Sequence, residues 1–206
     1  MTRKPFLMIA AVVASAWLPV AAQAQAGGQK PGSIQDQAPP AAGSAIVVKA
    51  GSGEAAQQLT LFCDIENEAC AHLVVVLGQV IETHPGQVGV RFRHMVTGGH
   101  TQSPVAYRSA LAAARQGRGW DLLDMACANR DRLDDTGLRS MAVQLGLDVQ
   151  RFVADIAAAE VTQVLEDDAR EAKAANLESV PALFLNGSRL PDSFTYDAIV
   201  KALVGG

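Results

Sequence analysis

Beyond its first twenty-odd residues the sequence has no second long apolar run, no internal repeat, and no cysteine near the start. The first absence leaves nothing in the bulk of the chain to span a bilayer, so a soluble body is expected. The last argues against a bacterial lipoprotein. Cysteine is scarce throughout: Cys63, Cys70 and Cys127 are all there is. Three cannot form a disulfide scaffold, and an odd count permits at most one internal pair. A net charge of −4 gives no basic surplus to hold nucleic acid or an anionic membrane surface. Lys and Arg are also missing from the whole stretch between Ala50 and Gly89, so no permanent cation lies near the first two cysteines in sequence.

The N-terminus supplies what the rest lacks. Arg3 and Lys4 precede an apolar run from Phe6 to Ala22, which ends in the overlapping small-residue sites Ala22-Gln-Ala24 and Ala24-Gln-Ala26. Residues 1–26 therefore read as a cleavable signal peptide, and periplasmic export with no membrane insertion after cleavage is the expectation. Residues 27–43 are mostly Gly, Pro, Ala, Gln and Ser, with almost no apolar bulk, which reads as a flexible leader. The remaining domain, 44–206, is long enough to bury a core without disulfide staples.

Within that domain, Ala45 to Lys49 and Leu59 to Phe62 are strand candidates. In the segment that follows, Cys70, Leu73, Val74, Leu77, Val80 and Ile81 recur at helical steps until His84-Pro85-Gly86. Val88 to His94 alternates as a third strand. Helical periodicity then marks 104–116, 120–129, 136–145 and 148–175, punctuated by Gly117, Gly119 and Gly146. Ala182 to Leu185 returns to strand, Asn186-Gly187 signals a hairpin into a short strand at 188–190, and a helix from about Ser193 to Val204 closes the chain. The layout is α/β, with a helical insertion at about 101–175 between a βαβ half and a ββα half.

Cys63 and Cys70 flank the passage from strand into first helix, in Phe62-Cys-Asp-Ile-Glu-Asn-Glu-Ala-Cys70. Functional sites gather at such carboxyl ends of strands, and a helix N-terminus stabilises a thiolate. This stretch, together with Ser179-Val180-Pro181-Ala-Leu-Phe-Leu-Asn-Gly187 and the His100, Tyr107 to Arg115, Gly119-Trp120-Asp121 and Asn129 pattern between them, resembles the DsbA family of thioredoxin-fold oxidoreductases. The resemblance implies a thioredoxin fold with a helical insertion. It implies a cis peptide at Val180-Pro181, where relatives bind an extended substrate peptide. It also implies partners among exported protein or peptide thiols and a redox partner protein, and it brings no cofactor. The family pattern at the turn is Phe-x-Asp-x-x-Cys-Pro-x-Cys. Phe62 and Asp64 fit it and Cys70 takes the second cysteine position, but Asn67 and Glu68 stand where the attacking cysteine and its proline belong.

Asn67 is a good N-cap for the helix, which gives it a structural role where relatives place a thiolate. Asp64, Glu66 and Glu68 crowd the cysteines, and negative charge raises a thiol pKa. Cys63 lies outside the family pattern. Cys63 and Cys70 are open to two readings: a relocated redox pair, giving a thiol–disulfide oxidoreductase, or a structural role, as a static disulfide or as two buried thiols packing like small hydrophobes, in a non-catalytic peptide-binding or chaperone-like module. Cys127 reads as core packing, and His94 and His100 as ordinary fold residues. A metal site at Cys63, Cys70 and His72 is disfavoured, because His72 points to another helix face.

Overall fold

A computed structural model describes residues 46–49 and 55–205; the expected signal peptide and leader lie outside the described residues. Five strands form one sheet in the order β1-β3-β2-β4-β5, with β1 Ile46–Lys49, β2 Gln57–Cys63, β3 Val88–His94, β4 Ala182–Leu185 and β5 Ser188–Arg189. The central strand β2 runs parallel to β3 and antiparallel to β4. Helix α1, Glu68–Thr83, makes the crossover from β2 to β3. Between β3 and β4 lie α2 Ser103–Ala114, α3 Gly119–Ala128, a 3-10 turn at Arg130–Arg132, α4 Asp135–Gln144, α5 Val149–Ile156 and α6 Ala159–Ala174. Helix α7, Tyr196–Gly205, ends the chain. This is a thioredoxin fold with a helical insertion between its βαβ and ββα halves.

Alternation along the strands sorts their side chains onto two cores. Leu59, Leu61 and Cys63 of β2, with Val88, Val90 and Phe92 of β3, join Leu73, Leu77 and Val80 of α1 and Tyr107 and Ala110 of α2 in the larger one. Phe62 and Phe184 pack with Ala172, Ala175 and Leu177 in the smaller, with the two rings edge-on at 5.8 Å. Helices on both faces change the expected character of β3: its last residues, Arg93 and His94, are buried rather than alternately exposed. The hairpin forms as Asn-Gly predicts, with Asn186 and Gly187 both at positive φ, 49° and 87°.

The single helix expected over 148–175 is two. Phe152 and Ile156 set an apolar stripe in α5 whose next helical positions would be Ala159, Glu160 and Gln163. The apolar residues fall instead at Val161, Val164 and Leu165. Ala158 leaves helical geometry (φ −64°, ψ 140°), and the break rephases the stripe so that both helices bury their apolar sides. The last helix also starts later than read, at Tyr196.

One charged contact fastens α6 to the sheet. Arg93 donates to the Asp168 carboxylate at 2.7 Å, Asp168 also accepts from the His94 N–H at 2.9 Å, and Glu171 lies 3.0 Å from the same guanidinium. Burial raises the Asp168 pKa and these donors hold it down, with burial the larger effect. Replacing Asp168 with Ala leaves the buried Arg93 with Glu171 alone and removes the partner of the His94 N–H. We expect a loss of roughly 3 kcal/mol of unfolding free energy by denaturant titration, with Arg93→Met plus Asp168→Leu recovering part of it, since the His94 N–H stays unpaired.

Candidate functional site

The site is assembled where β2 ends and α1 begins. Asn67 caps α1 as the sequence indicates: its side chain accepts from the Cys70 N–H at 3.1 Å. The tight passage is closed by an Asn67 N–H to Asp64 carbonyl bond of 3.0 Å, which folds the segment back and carries Cys70 over the end of β2. The Asp64 N–H donates to Cys70 Sγ at 3.3 Å, which brings the Cys70 sulfur against the backbone next to Cys63. Both cysteines are free thiols with no exposed surface. Burial pushes the Cys63 thiol well above its ordinary value, and the neighbouring sulfurs add to this.

The acidic residues do not act on the sulfurs as their sequence positions suggest. The Asp64 carboxylate turns away from them, accepting from the Thr97 N–H at 2.9 Å, His100 Nδ1 at 2.8 Å and the Glu66 N–H at 3.1 Å. Glu66 accepts from the N–H groups of Gln102 and Ser103 at 2.8 and 2.7 Å. No carboxylate appears among the causes that raise Cys63; burial is what keeps it protonated. Burial pushes Asp64 up as well, but its hydrogen bonds outweigh that and leave it below the usual carboxylate range. His100, bonded to it, is raised.

Two features of this junction escape a reading of the sequence alone. His100 belongs to the site as the partner of Asp64, thirty-six residues away. Ser103, at the start of α2, spends its hydroxyl on the Ile65 N–H at 3.0 Å and on His94 Nε2 at 3.0 Å. His94 also stacks on Tyr107, ring centres 5.0 Å apart. The Ser-Pro pair at 103–104 marks the helix start; nothing in it signals a tertiary partner.

Val180-Pro181 is a cis peptide bond. Phe62 pairs with Ala182 across the β2–β4 ladder, so Pro181, one residue outward, lies beside the end of β2 that carries Cys63. The half-buried Val180 packs against both cores. Met95 and Leu177, which belong to or pack on the smaller core, line an open groove of about 480 Å³. A larger groove of about 550 Å³ between β5 and α7 contains none of these residues. Cys127, in the last turn of α3, belongs to the same core as Cys63 and Cys70. Among the described residues no cluster of His, Cys, Asp and Glu suits a metal ion.

Comparison with known proteins places this geometry. A family model described as DSBA-like thioredoxin domain matches residues 59–204. The fold is similar to that of the thiol-disulfide exchange protein α-DsbA2 from Wolbachia pipientis, with a TM-score of 0.65 at 17% identity, covering 75% of this chain and 84% of that one. It is similar to oxidised BdbD from Bacillus subtilis, with a TM-score of 0.64 at 16% identity over 84% of this chain and 94% of that one. In sequence the chain is 30% identical over 189 residues to the Na(+)/H(+) antiporter NhaA of Herminiimonas arsenicoxydans, a match that covers 90% of this chain and 30% of that protein. The chain thus spans less than a third of the length of the curated relatives it matches first, 30% and 26%. Among the described residues no helix is long and apolar enough to cross a membrane.

Two substitutions probe the junction. Asn67→Ala removes the cap and should cost about 1 kcal/mol of stability in denaturant unfolding. The second concerns His94, whose burial lowers it to about 4 against a smaller opposing effect of the Asp64 charge. Between the unfolded value near 6.5 and that folded value, the unfolded chain binds a proton that the native state refuses. Stability therefore falls as pH falls through this window, by about 3 kcal/mol in all. His94→Gln should flatten that part of the stability–pH profile, whatever it costs at pH 7.

Proposed function

The chain belongs to the DSBA-like thioredoxin-domain family, and on that premise we propose that it is an exported thiol–disulfide exchange protein whose redox pair is Cys63 and Cys70. The observation that carries this is the meeting of two buried free thiols at the junction of β2 and α1, where the N–H of Asp64, next to Cys63, donates to Cys70 Sγ at 3.3 Å, beside the cis Val180-Pro181 peptide. In the family the corresponding junction holds the C-x-x-C pair and faces the cis-proline loop. Here Asn67 occupies the attacking position as a cap, and Cys63 supplies the second sulfur from the strand below. Oxidation joins Cys63 Sγ to Cys70 Sγ as the two electrons and two protons pass to the disulfide of a partner. The backbone at Val180 and the groove by Met95 and Leu177 offer an extended peptide a place to lie. The signal-peptide pattern at residues 1–26 supports an oxidising, periplasmic setting in which such a bond persists. Because the chain matches only 30% of the antiporter's length, ion transport is left to that protein.

A second reading is favoured by burial. With Cys63 and Cys70 both at zero exposure and the Cys63 thiol held protonated, a Cys63–Cys70 disulfide also suits a static tie in a non-catalytic peptide-binding module.

Redox titration of the full chain separates the two. A bond that equilibrates above about −270 mV, within the range of exchange proteins, supports turnover; one that stays oxidised below that supports the static tie. In an assay of oxidation of a reduced protein substrate, the exchange reading expects slow activity that Cys70→Ala abolishes. The double variant Asn67→Cys with Glu68→Pro should raise that rate at least about tenfold by restoring an exposed, low-pKa thiol. Activity found only in the double variant would leave the static reading.

A further inference from the structure

If Cys63 and Cys70 exchange disulfides, electrons must reach two sulfurs that solvent does not touch. The third cysteine borders a surface groove. Cys127 lines a groove of about 260 Å³ with Glu68, Ala71, His72 and Val75 of α1 and with Arg130. Helices α1 and α3 pack together there, so the last turn of α3 comes against the first turn of α1, which holds Cys70. Cys127 is only 2% exposed, but it is the one cysteine that borders open space. It belongs to the same buried core as Cys70 and Cys63, and Ala71, the residue after Cys70, lines the groove with it.

We propose that Cys127 is the entry port of a three-thiol relay, passing disulfide exchange from a small, carboxylate-bearing disulfide in the α1–α3 groove to Cys70 and then to Cys63. The inference rests on the exchange reading of the Cys63–Cys70 pair. In the first step the Cys127 sulfur attacks the external disulfide, forming a mixed disulfide and releasing one thiol. Cys70 then attacks the Cys127 sulfur, forming Cys70–Cys127 and releasing the second thiol. Cys63 finally attacks Cys70, forming Cys63–Cys70 and returning Cys127 as a thiol. Two protein thiols are oxidised, one disulfide is reduced to two thiols, and Cys127 ends unchanged.

The surroundings fit each role. The Asp64 N–H holds Cys70 Sγ in place at 3.3 Å, and that sulfur must serve as nucleophile in one step and leave when the relay runs backwards. Arg130 donates to the Cys127 carbonyl at 3.0 Å and has no carboxylate partner among the described residues, so its remaining donors can take a ligand carboxylate. Burial raises the Cys127 thiol to about 12, with Arg130 opposing the rise. The entry step should therefore be slow at neutral pH and quicken about tenfold per pH unit.

The test challenges the reduced full chain with oxidised glutathione and maps its disulfides by mass spectrometry in the native sequence and in Cys63→Ala, Cys70→Ala and Cys127→Ala. The relay predicts that Cys70→Ala accumulates glutathione on Cys127 and that Cys63→Ala stops at Cys70–Cys127. Cys127→Ala should form Cys63–Cys70 at least about tenfold more slowly than the native chain. An unmodified Cys127 in Cys70→Ala overturns the proposal, and that variant keeps it testable even if Cys127→Ala does not fold. Native-rate formation of Cys63–Cys70 in Cys127→Ala removes the port while leaving the pair intact. Native chain that stops at Cys70–Cys127 removes the pair while leaving the port. Uncharged 2-hydroxyethyl disulfide should react more slowly than oxidised glutathione; equal rates would overturn the role given to Arg130.

Discussion

Two segments distant in sequence, the turn from β2 into α1 and the loop after β3, meet at Asp64. Its carboxylate accepts from the loop after β3 through Thr97 and His100, and from its own turn through the Glu66 N–H. Its backbone N–H donates to the Cys70 sulfur. A buried carboxylate with several donors stays ionised, because each donor favours the charged form and together they exceed the desolvation that opposes it. The end of the central strand, the first turn of α1 and the approach to α2 are tied together at this one residue, through its backbone and its side chain. The position of Cys70 at the end of β2 depends on that corner.

The corner was half legible in the sequence. The Phe-x-Asp pattern and the Asn67 cap are local, so the strand end and the helix start could be read from them, and the strong helical spacing from Cys70 to Ile81 gave α1 almost residue for residue. What failed was direction. Asp64, Glu66 and Glu68 are close to the cysteines along the chain, and proximity in sequence suggested that their charge acts on the sulfurs. Two of the three instead turn toward Thr97, His100, Gln102 and Ser103, partners more than thirty residues away that no local pattern announces. The split between α5 and α6 was hidden for a related reason: it has no Gly or Pro to mark it, only a slip in the phase of the apolar residues.

The thiols depart from the family's arrangement while staying at its strand–helix junction. In the family the exposed cysteine stands at the helix start and its partner behind it. This chain satisfies the helix start with a neutral amide and holds Cys70 in the first turn and Cys63 on the strand, both buried. If the pair exchanges disulfides as proposed, it does so between buried groups and not through an exposed, low-pKa thiol. The same burial explains why the pair can be read either as slow exchange or as a static tie.

The Arg93–Asp168–Glu171 cluster has a bearing on motion. Helical insertions can open independently of the sheet they cap, as separate cooperative units with their own amide protection. Here α6 is held to β3 by a charge that cannot be exposed without losing its counter-ions, and the His94 N–H is tied to the same carboxylate. Breathing of the insertion therefore requires β3 to give way too. Amide protons in α6 and the end of β3 should exchange with solvent through a single shared opening, making the helical cap and the sheet one cooperative body rather than a lid on a platform.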